Sequence, residues 1–296
     1  MATAEVRGVL HAYDFTVMDR SKHDLDGQGN ADAPTLVFVH GWLLSRSYWQ
    51  PLIDCLSPYY SCLAYDLRGF GESGAKNEGD RYPEQGYTLA DYADDLQALL
   101  EKLEIKQAWL VGHSLGGSIA LWAAKKCDRV VGVTCLNSGG GIYLKEDFEK
   151  FRSVGQQLVR NRFPWLIYVP FFDFAFARMM VKKPLARRWG KQRIRDFLAA
   201  DPEAALRSLL DTTTEKEVHQ LPQLVAQLRQ PVYFLAGSQD SVMELKYVHH
   251  LASFHPSFGC MGENVIEISD CGHLAMVEQV ATVSENILTI LSKNTP

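Results

Sequence analysis

Apolar residues fall along this chain in two alternating periods. Short runs at Thr35–Val39, Cys62–Tyr65, Ala108–Val111, Val130–Leu136, Val232–Leu235 and Val265–Ile268 have the length and β-branched content of buried strands. Between most of them the spacing switches to three and four. Leu89, Tyr92, Ala93, Leu96, Leu99, Leu100 and Leu103 lie on one helical face, and Thr88 stands where an N-cap is needed. Ahead of these elements, alternation from about Val6 to Val17 predicts an opening antiparallel hairpin, and the polar stretch from Asp19 to Ala33 predicts a loop. Strand–helix alternation of this kind predicts an α/β fold, a mostly parallel sheet with helices on both faces.

One stretch breaks the alternation. From Gly141 to Leu221 the chain offers helical or irregular patterns and no convincing strand, and strand signals resume after Pro231. An insertion of that size between two sheet strands folds most simply as a helical cap. The expected organisation is therefore an α/β core over 1–140, a helical cap or lid over 141–221, and the rest of the core over 222–296. The glycine run Gly139–Gly141 is read as the hinge into the cap.

Composition narrows the class without naming it. With 296 residues, 47% hydrophobic and a net charge of −5, the chain can bury a large core, which excludes disorder. The balance of 30 basic against 35 acidic residues disfavours nucleic acid as a partner. Six cysteines without a CxxC pair read as buried thiols, and the N-terminus has no apolar signal region, so a cytoplasmic protein is expected.

The chemistry centres on Gly112-His113-Ser114-Leu115-Gly116-Gly117, which follows one apolar run and precedes a helical pattern. A serine on a sharp strand-to-helix turn projects its hydroxyl clear of the backbone, and the crowded turn needs glycine two residues before and two after it. A serine hydroxyl is a poor nucleophile until a base takes its proton and a third group holds that base. Asp240 follows the strand Val232–Leu235 and His273 follows Val265–Ile268, so both emerge at the same sheet edge as Ser114. The expected roles are Ser114 as nucleophile, His273 as general base and acid, and Asp240 as the group that orients it. Asp270 is the alternative acid, although so short a separation from His273 rarely allows the bond. After Val39, the turn His40-Gly41-Trp42 can aim the Trp42 N–H at the same point as the Leu115 N–H, which makes these two the candidate oxyanion hole. His40 reads as structural, and His113 as packed beside the turn. His11, His23, His219, His249, His250 and His255 are expected on solvent or loops.

With these motifs in place, the chain resembles the α/β-hydrolase superfamily, from the HG turn at His40-Gly41 through the GHSLGG elbow to Asp240 and the GH at His273. Asp66-Leu67-Arg68-Gly69-Phe70-Gly71-Glu72-Ser73 also looks like that family's DxRGxGxS loop. The resemblance covers Phe38 to about His273. It implies a Ser-His-Asp hydrolase in which the segment over 141–221 is the variable cap. No cluster of His, Asp or Cys has metal-ligand spacing and no nucleotide-binding loop appears, so no metal and no cofactor are expected. Members that open epoxides or remove halides carry aspartate at the elbow, whereas this chain has Ser114. Carbon–carbon bond hydrolases and acyltransferases share the triad and stay open, as does a ligand receptor built on the same fold.

The cap bears on the substrate. Between Arg160 and Arg195 ten basic residues face the single acid Asp173, a net charge of +9 that leaves −14 for the rest of the chain. The aromatic run from Phe163 to Phe176 lies inside this segment, and its two prolines break any membrane span. In one reading the rings, including Phe163, Trp165, Phe171 and Phe172, join Trp42 and His113 in lining the substrate pocket. In the other, the cap lies peripherally on an anionic lipid surface. Either points to an esterase or lipase-like enzyme acting on an ester with a bulky or lipophilic part.

Overall fold

The computed structural model describes residues 2–18, 33–73, 86–140, 145–163, 165, 168, 169 and 171–294. The expected loop over 19–32, His23, Gly141, Pro164, Leu166, Ile167 and Pro170 lie outside the described residues.

Eight strands form one sheet: β1 (Ala2–Val6), β2 (Val9–Thr16), β3 (Thr35–Val39), β4 (Cys62–Tyr65), β5 (Ala108–His113), β6 (Val130–Leu136), β7 (Val232–Gly237) and β8 (Val265–Ile268). Their order is β1-β2-β4-β3-β5-β6-β7-β8. The β1–β2 hairpin turns at Arg7-Gly8, and β2 pairs antiparallel with β4. Every other pairing is parallel.

The period of two divides each strand between two cores. Val37, Val39, Leu63, Leu110, Val133 and Phe234 face one, while Leu36, Phe38, Ala64, Val111, Leu136 and Leu235 face the other. The first core is covered by α2 (Leu89–Lys102), α3 (Leu115–Lys126), α8 (Glu215–Val225) and α9 (Leu245–Ala252). The second is covered by α1 (Gln50–Leu56), α10 (Ala275–Glu278) and α11 (Val280–Asn294). Thr88 caps α2 in a reciprocal capping box with Asp91. Gly132 leaves room for Trp109, because a Cβ there would stand 2.3 Å from the indole ring, and Trp109 Nε1 donates to Thr134 Oγ1 at 2.9 Å.

Between β6 and β7 lie α4 (Lys145–Arg160), α5 (Phe172–Arg178), α6 (Arg187–Ala199), α7 (Pro202–Thr212) and α8. The boundary expected at Leu221 falls inside α8, whose Leu221, Leu224 and Val225 are buried in the same core as α3. The helices that sit over the carboxyl edge of the sheet are therefore α4–α7. Trp42 Nε1 donates to the Ala205 carbonyl at 2.9 Å, and the Asp201 N–H donates to Gly69 O at 2.8 Å. Gly69, at φ +86°, permits that approach: a Cβ there would stand 2.0 Å from the Ala204 Cβ.

The DxRGxGxS loop serves this architecture. Asp66 accepts from the Arg46 N–H at 2.6 Å, from the Arg46 guanidinium and from the Glu72 N–H at 2.8 Å. Arg68 is fully buried, with Nε 2.9 Å from Asp95 Oδ2 and its guanidinium over the rings of Tyr87 and Tyr92. Of the cysteines, Cys62, Cys127, Cys135 and Cys271 are buried, but Cys55 and Cys260 are exposed, against the expectation that all six would be buried.

Candidate active site

Ser114 joins β5 to α3 at φ 52°, ψ −117°, a conformation a non-glycine residue holds only under constraint. Its N–H donates to Leu136 O at 3.0 Å, and its carbonyl accepts from Gly117 N at 3.0 Å and from Ser138 Oγ at 2.8 Å. The flanking glycines are sterically required. A Cβ on Gly112 would stand 2.3 Å from Gly116 O, and one on Gly116 would stand 2.2 Å from Val39 O. The strained turn is thus fixed by two strands and the first turn of α3, whose positive end lies behind it.

Asp240 and His273 meet at the neighbouring strand ends. His273 Nδ1 lies 2.7 Å from Asp240 Oδ2, with both side chains buried. The other carboxylate oxygen accepts from the N–H groups of Val242 at 2.8 Å and Met243 at 2.9 Å. Burial alone would raise the Asp240 carboxyl, but the adjacent His273 and these N–H donors outweigh it and hold it below the usual carboxylate range. Asp270 is exposed and makes no bond to His273, so the geometry favours Asp240 as its partner. The Ser114 hydroxyl and His273 Nε2 have no hydrogen bond to each other among the described residues; contacts of this type frequently tighten only with substrate bound.

Asn137 was not singled out from sequence. It follows β6 directly, at φ 49°, and its Nδ2 donates both to Asp240 Oδ2 at 2.9 Å and to Gly272 O at 3.1 Å. One amide therefore fixes the acid and the loop that carries His273.

The N–H groups of Trp42, in the turn after β3, and of Leu115, at the start of α3, have no hydrogen-bond partner among the described residues, and both residues line one cavity with Ser114. His40 holds the turn. The Leu67 N–H donates to its Nε2 at 2.9 Å, so the proton is on Nδ1, which donates to Gly41 O at 2.8 Å. Burial lowers the His40 pKa and keeps the ring neutral.

The cavity at Ser114 measures about 90 Å³ and is lined chiefly by Trp42, Leu89, Leu115, Phe151, Leu209 and Met243, with hydroxyls of α7 completing the wall. Of the residues expected to line the pocket, Trp42 does so. Phe163, Trp165 and Phe171 are 47%, 57% and 72% exposed, and neither they nor the half-buried Phe172 lines the cavity. The α7 backbone brings aliphatic and hydroxyl side chains there instead, while the rings remain on the outer side of the insertion. His113 is also absent from the wall: it is buried behind the turn, with Nε2 donating to His273 O at 2.8 Å. His219 and His250 are exposed as expected and His249 is half-buried, but His11 and His255 are buried.

The α5–α6 connection packs against the His273 loop. The His273 N–H donates to Met180 O at 2.8 Å, and a Cβ on Gly272 would stand 2.7 Å from the Val181 Cα. Glu278 ties the two together by accepting from the N–H groups of Lys182 and Lys183 at 2.9 Å and of Gly272 at 3.1 Å. Among the described residues no group of three His, Cys, Asp or Glu side chains is placed to hold a metal ion.

A doubly wound sheet carrying a strained serine turn, a buried Asp–His pair and a small cavity at one edge defines an α/β enzyme of the hydrolytic type. The family model for the alpha/beta hydrolase fold matches residues 34–280, and the chain belongs to that family and is a hydrolase. It is 30% identical over 215 residues to a non-heme chloroperoxidase of Streptomyces lividans, covering 67% of this chain and 74% of that one. It is 27% identical over 228 residues to the bifunctional esterase/perhydrolase DCH of Acinetobacter calcoaceticus, covering 73% and 77%. A shorter match to RutD of Pantoea ananatis, 37% identical over 119 residues, spans 41% of that protein. Among solved structures, a thermophilic esterase from Thermogutta terrifontis superimposes with a TM-score of 0.74 over 100% of both chains; at 22% identity this likeness concerns the fold alone.

Proposed function

We propose that this enzyme hydrolyses carboxylic esters of short, uncharged acids through an acyl-enzyme on Ser114. The observation that carries the reading is the Asp240–His273 pair at the strand ends beside the strained Ser114 turn. Ser114 Oγ attacks the ester carbonyl as His273 Nε2 takes its proton, and Asp240 steadies the imidazolium. The Trp42 and Leu115 N–H groups receive the oxyanion, the type of donor worth about 3 kcal/mol each. Collapse expels the alcohol, which leaves with the proton from His273. Water then attacks the acyl-enzyme by the same relay and releases the acid.

The cavity supports a smaller acyl group than the aromatic cap suggested. At about 90 Å³ it is smaller than the roughly 150 Å³ apolar cavity that admits benzene. Among the described residues no charged side chain lines it. Its hydroxyls donate back into the fold, Thr212 to Ser208 O at 2.6 Å and Ser208 to Ala205 O at 3.5 Å. An apolar acyl chain of a few carbons suits such walls.

Initial rates on p-nitrophenyl esters from acetyl to palmitoyl test the reading, with Ser114→Ala as the control. The expected profile peaks among the short acyl groups and falls by at least ~10³-fold in the variant. A maximum at palmitoyl would overturn the short-acyl reading. Failure to hydrolyse any ester, with the protein folded, would overturn ester hydrolysis and favour carbon–carbon cleavage. The esterase/perhydrolase relative supports a second acceptor: hydrogen peroxide in place of water would resolve the same acyl-enzyme to a peracid. Peracid formation that requires both ester and peroxide would establish it.

A further inference from the structure

The insertion carries positive charge that the fold leaves unpaired. Arg193 is buried and donates to the carbonyls of Phe176 at 2.5 Å and Met179 at 2.6 Å, while Arg162 donates to Ala200 O at 2.6 Å. These two guanidiniums hold the insertion together. Asp173, the one acid between Arg160 and Arg195, is taken by Arg187. Arg178, Lys182, Lys183, Arg188, Lys191 and Arg195 are exposed and pair with no carboxylate among the described residues.

Large rings stand in the same place. Tyr168 is 84% exposed and Phe171 is 72% exposed, although rings of this size are ordinarily covered. Tyr168 and Phe171 line an open cleft together with Arg187, Lys191 and Arg195, and Asp173, the partner of Arg187, is the one acid in its wall. The three cations recur every four residues and so form a single row along α6. The Arg187 guanidinium also lies 4.7 Å from the Phe174 ring centroid. Aromatics and unpaired cations therefore share one face, separate from the cavity at Ser114.

We propose that this face docks on an anionic phospholipid bilayer, with Tyr168 and Phe171 entering the headgroup boundary and the α6 cations meeting lipid phosphates. Charge complementarity selects this occupant: the segment is strongly basic within an otherwise acidic chain, and a second copy meeting it face to face would bring the same cations. The contact is peripheral, because no helix among the described residues is long and apolar enough to cross a membrane. The connection between α5 and α6 includes Met180, whose carbonyl accepts the His273 N–H, so the elements that carry this face also touch the loop of His273. The docking itself does not depend on the chemistry at Ser114.

Co-sedimentation of the full chain with vesicles of phosphatidylcholine, alone or mixed with phosphatidylglycerol, tests this. Binding should require the anionic lipid and disappear near ~1 M salt, where the screening length falls to about 3 Å. Lys191→Gln with Arg195→Gln should weaken binding by about 25-fold, at roughly five-fold per basic charge near an anionic surface. Phe171→Ala should weaken it further. In each variant hydrolysis of a soluble short-chain ester should stay at the wild-type rate, which separates failure of docking from failure of the ester reading. Equal binding to neutral and anionic vesicles, no binding at low salt, or unaltered binding by the double variant would overturn the proposal. So would displacement by millimolar inorganic phosphate, which would identify a small-anion site, or a vesicle-free dimer lost in the double variant.

Discussion

His113 Nε2 lies 2.8 Å from the backbone carbonyl oxygen of His273, and the two imidazole rings are 4.8 Å apart. The residue before the serine thus holds the loop of the base from behind, 160 positions along the chain. Only the Nε2–H tautomer can donate to a carbonyl, which leaves Nδ1 bare; that nitrogen is buried without a partner beside Gly41. Replacing His113 by Leu leaves a buried carbonyl unsatisfied, a loss of about 1–3 kcal/mol. The expected result is a lower urea midpoint together with a fall in kcat at little change in KM. His113→Gln, whose amide can still donate, should recover part of both. Equal kcat in wild type and His113→Leu would show that the bond does not position His273.

Asn137 should control the charge on Asp240. Its amide donates to Asp240 Oδ2 at 2.9 Å, the same oxygen that faces His273 Nδ1. Asn137→Asp replaces that donor with a second carboxylate, and like charges so close force one of them up in pKa. The acid limb of the kcat/KM profile should move to higher pH and the plateau should drop by about ten-fold or more. Asn137→Ala removes the donor without adding charge and should lower the plateau with a smaller displacement of the limb. Identical profiles for the two variants would mean that Asn137 only fills space.

The contrast between Asn137 and the strands marks what can be read from sequence. Thr35–Val39, Cys62–Tyr65, Val130–Leu136 and Val265–Ile268 are legible to the residue because strands buried on both faces are continuous apolar runs. Ser114, Asp240 and His273 follow such runs, so the sheet edge that gathers them was legible too. Asn137 follows one equally, but a lone asparagine at a strand end is also ordinary turn chemistry, and only the distance to Asp240 separates the two. Glu278 is silent for the same reason, since its three partners are backbone N–H groups. His11 left a usable signal: it alternates in phase with the buried Val9 of β2. The insertion was least legible. Aromatic content suggested a buried lining, yet Leu209 and Phe151 reach the cavity while Phe171 faces outward, because the packing of α4 and α7 selects which side turns inward.

Buried neutral histidines should make stability depend on pH. Burial lowers the pKa values of His11, His40 and His255, and burial together with the neighbouring His273 lowers that of His113 to about 3. Between the folded and unfolded values the unfolded chain binds more protons. Their contribution is therefore complete above about pH 6.5 and is lost as pH falls towards the folded values. Each such group adds a slope of at most about 1.4 kcal/mol per pH unit. Asp196 works in the opposite sense. It lies on the buried face of α6, where Ser45 Oγ and Gln192 Nε2 donate to it, and burial raises its pKa to about 7. Its protonated form favours the fold, so its contribution grows as pH falls through 7 and partly offsets the histidines. Urea midpoints should thus decline from pH 6.5 to 4 in the wild type and decline more steeply in Asp196→Asn, which keeps the size of the side chain and removes the titration. Parallel curves for the two proteins would show that Asp196 is ionised in the fold, and a flat wild-type curve would show that the histidines are not held neutral.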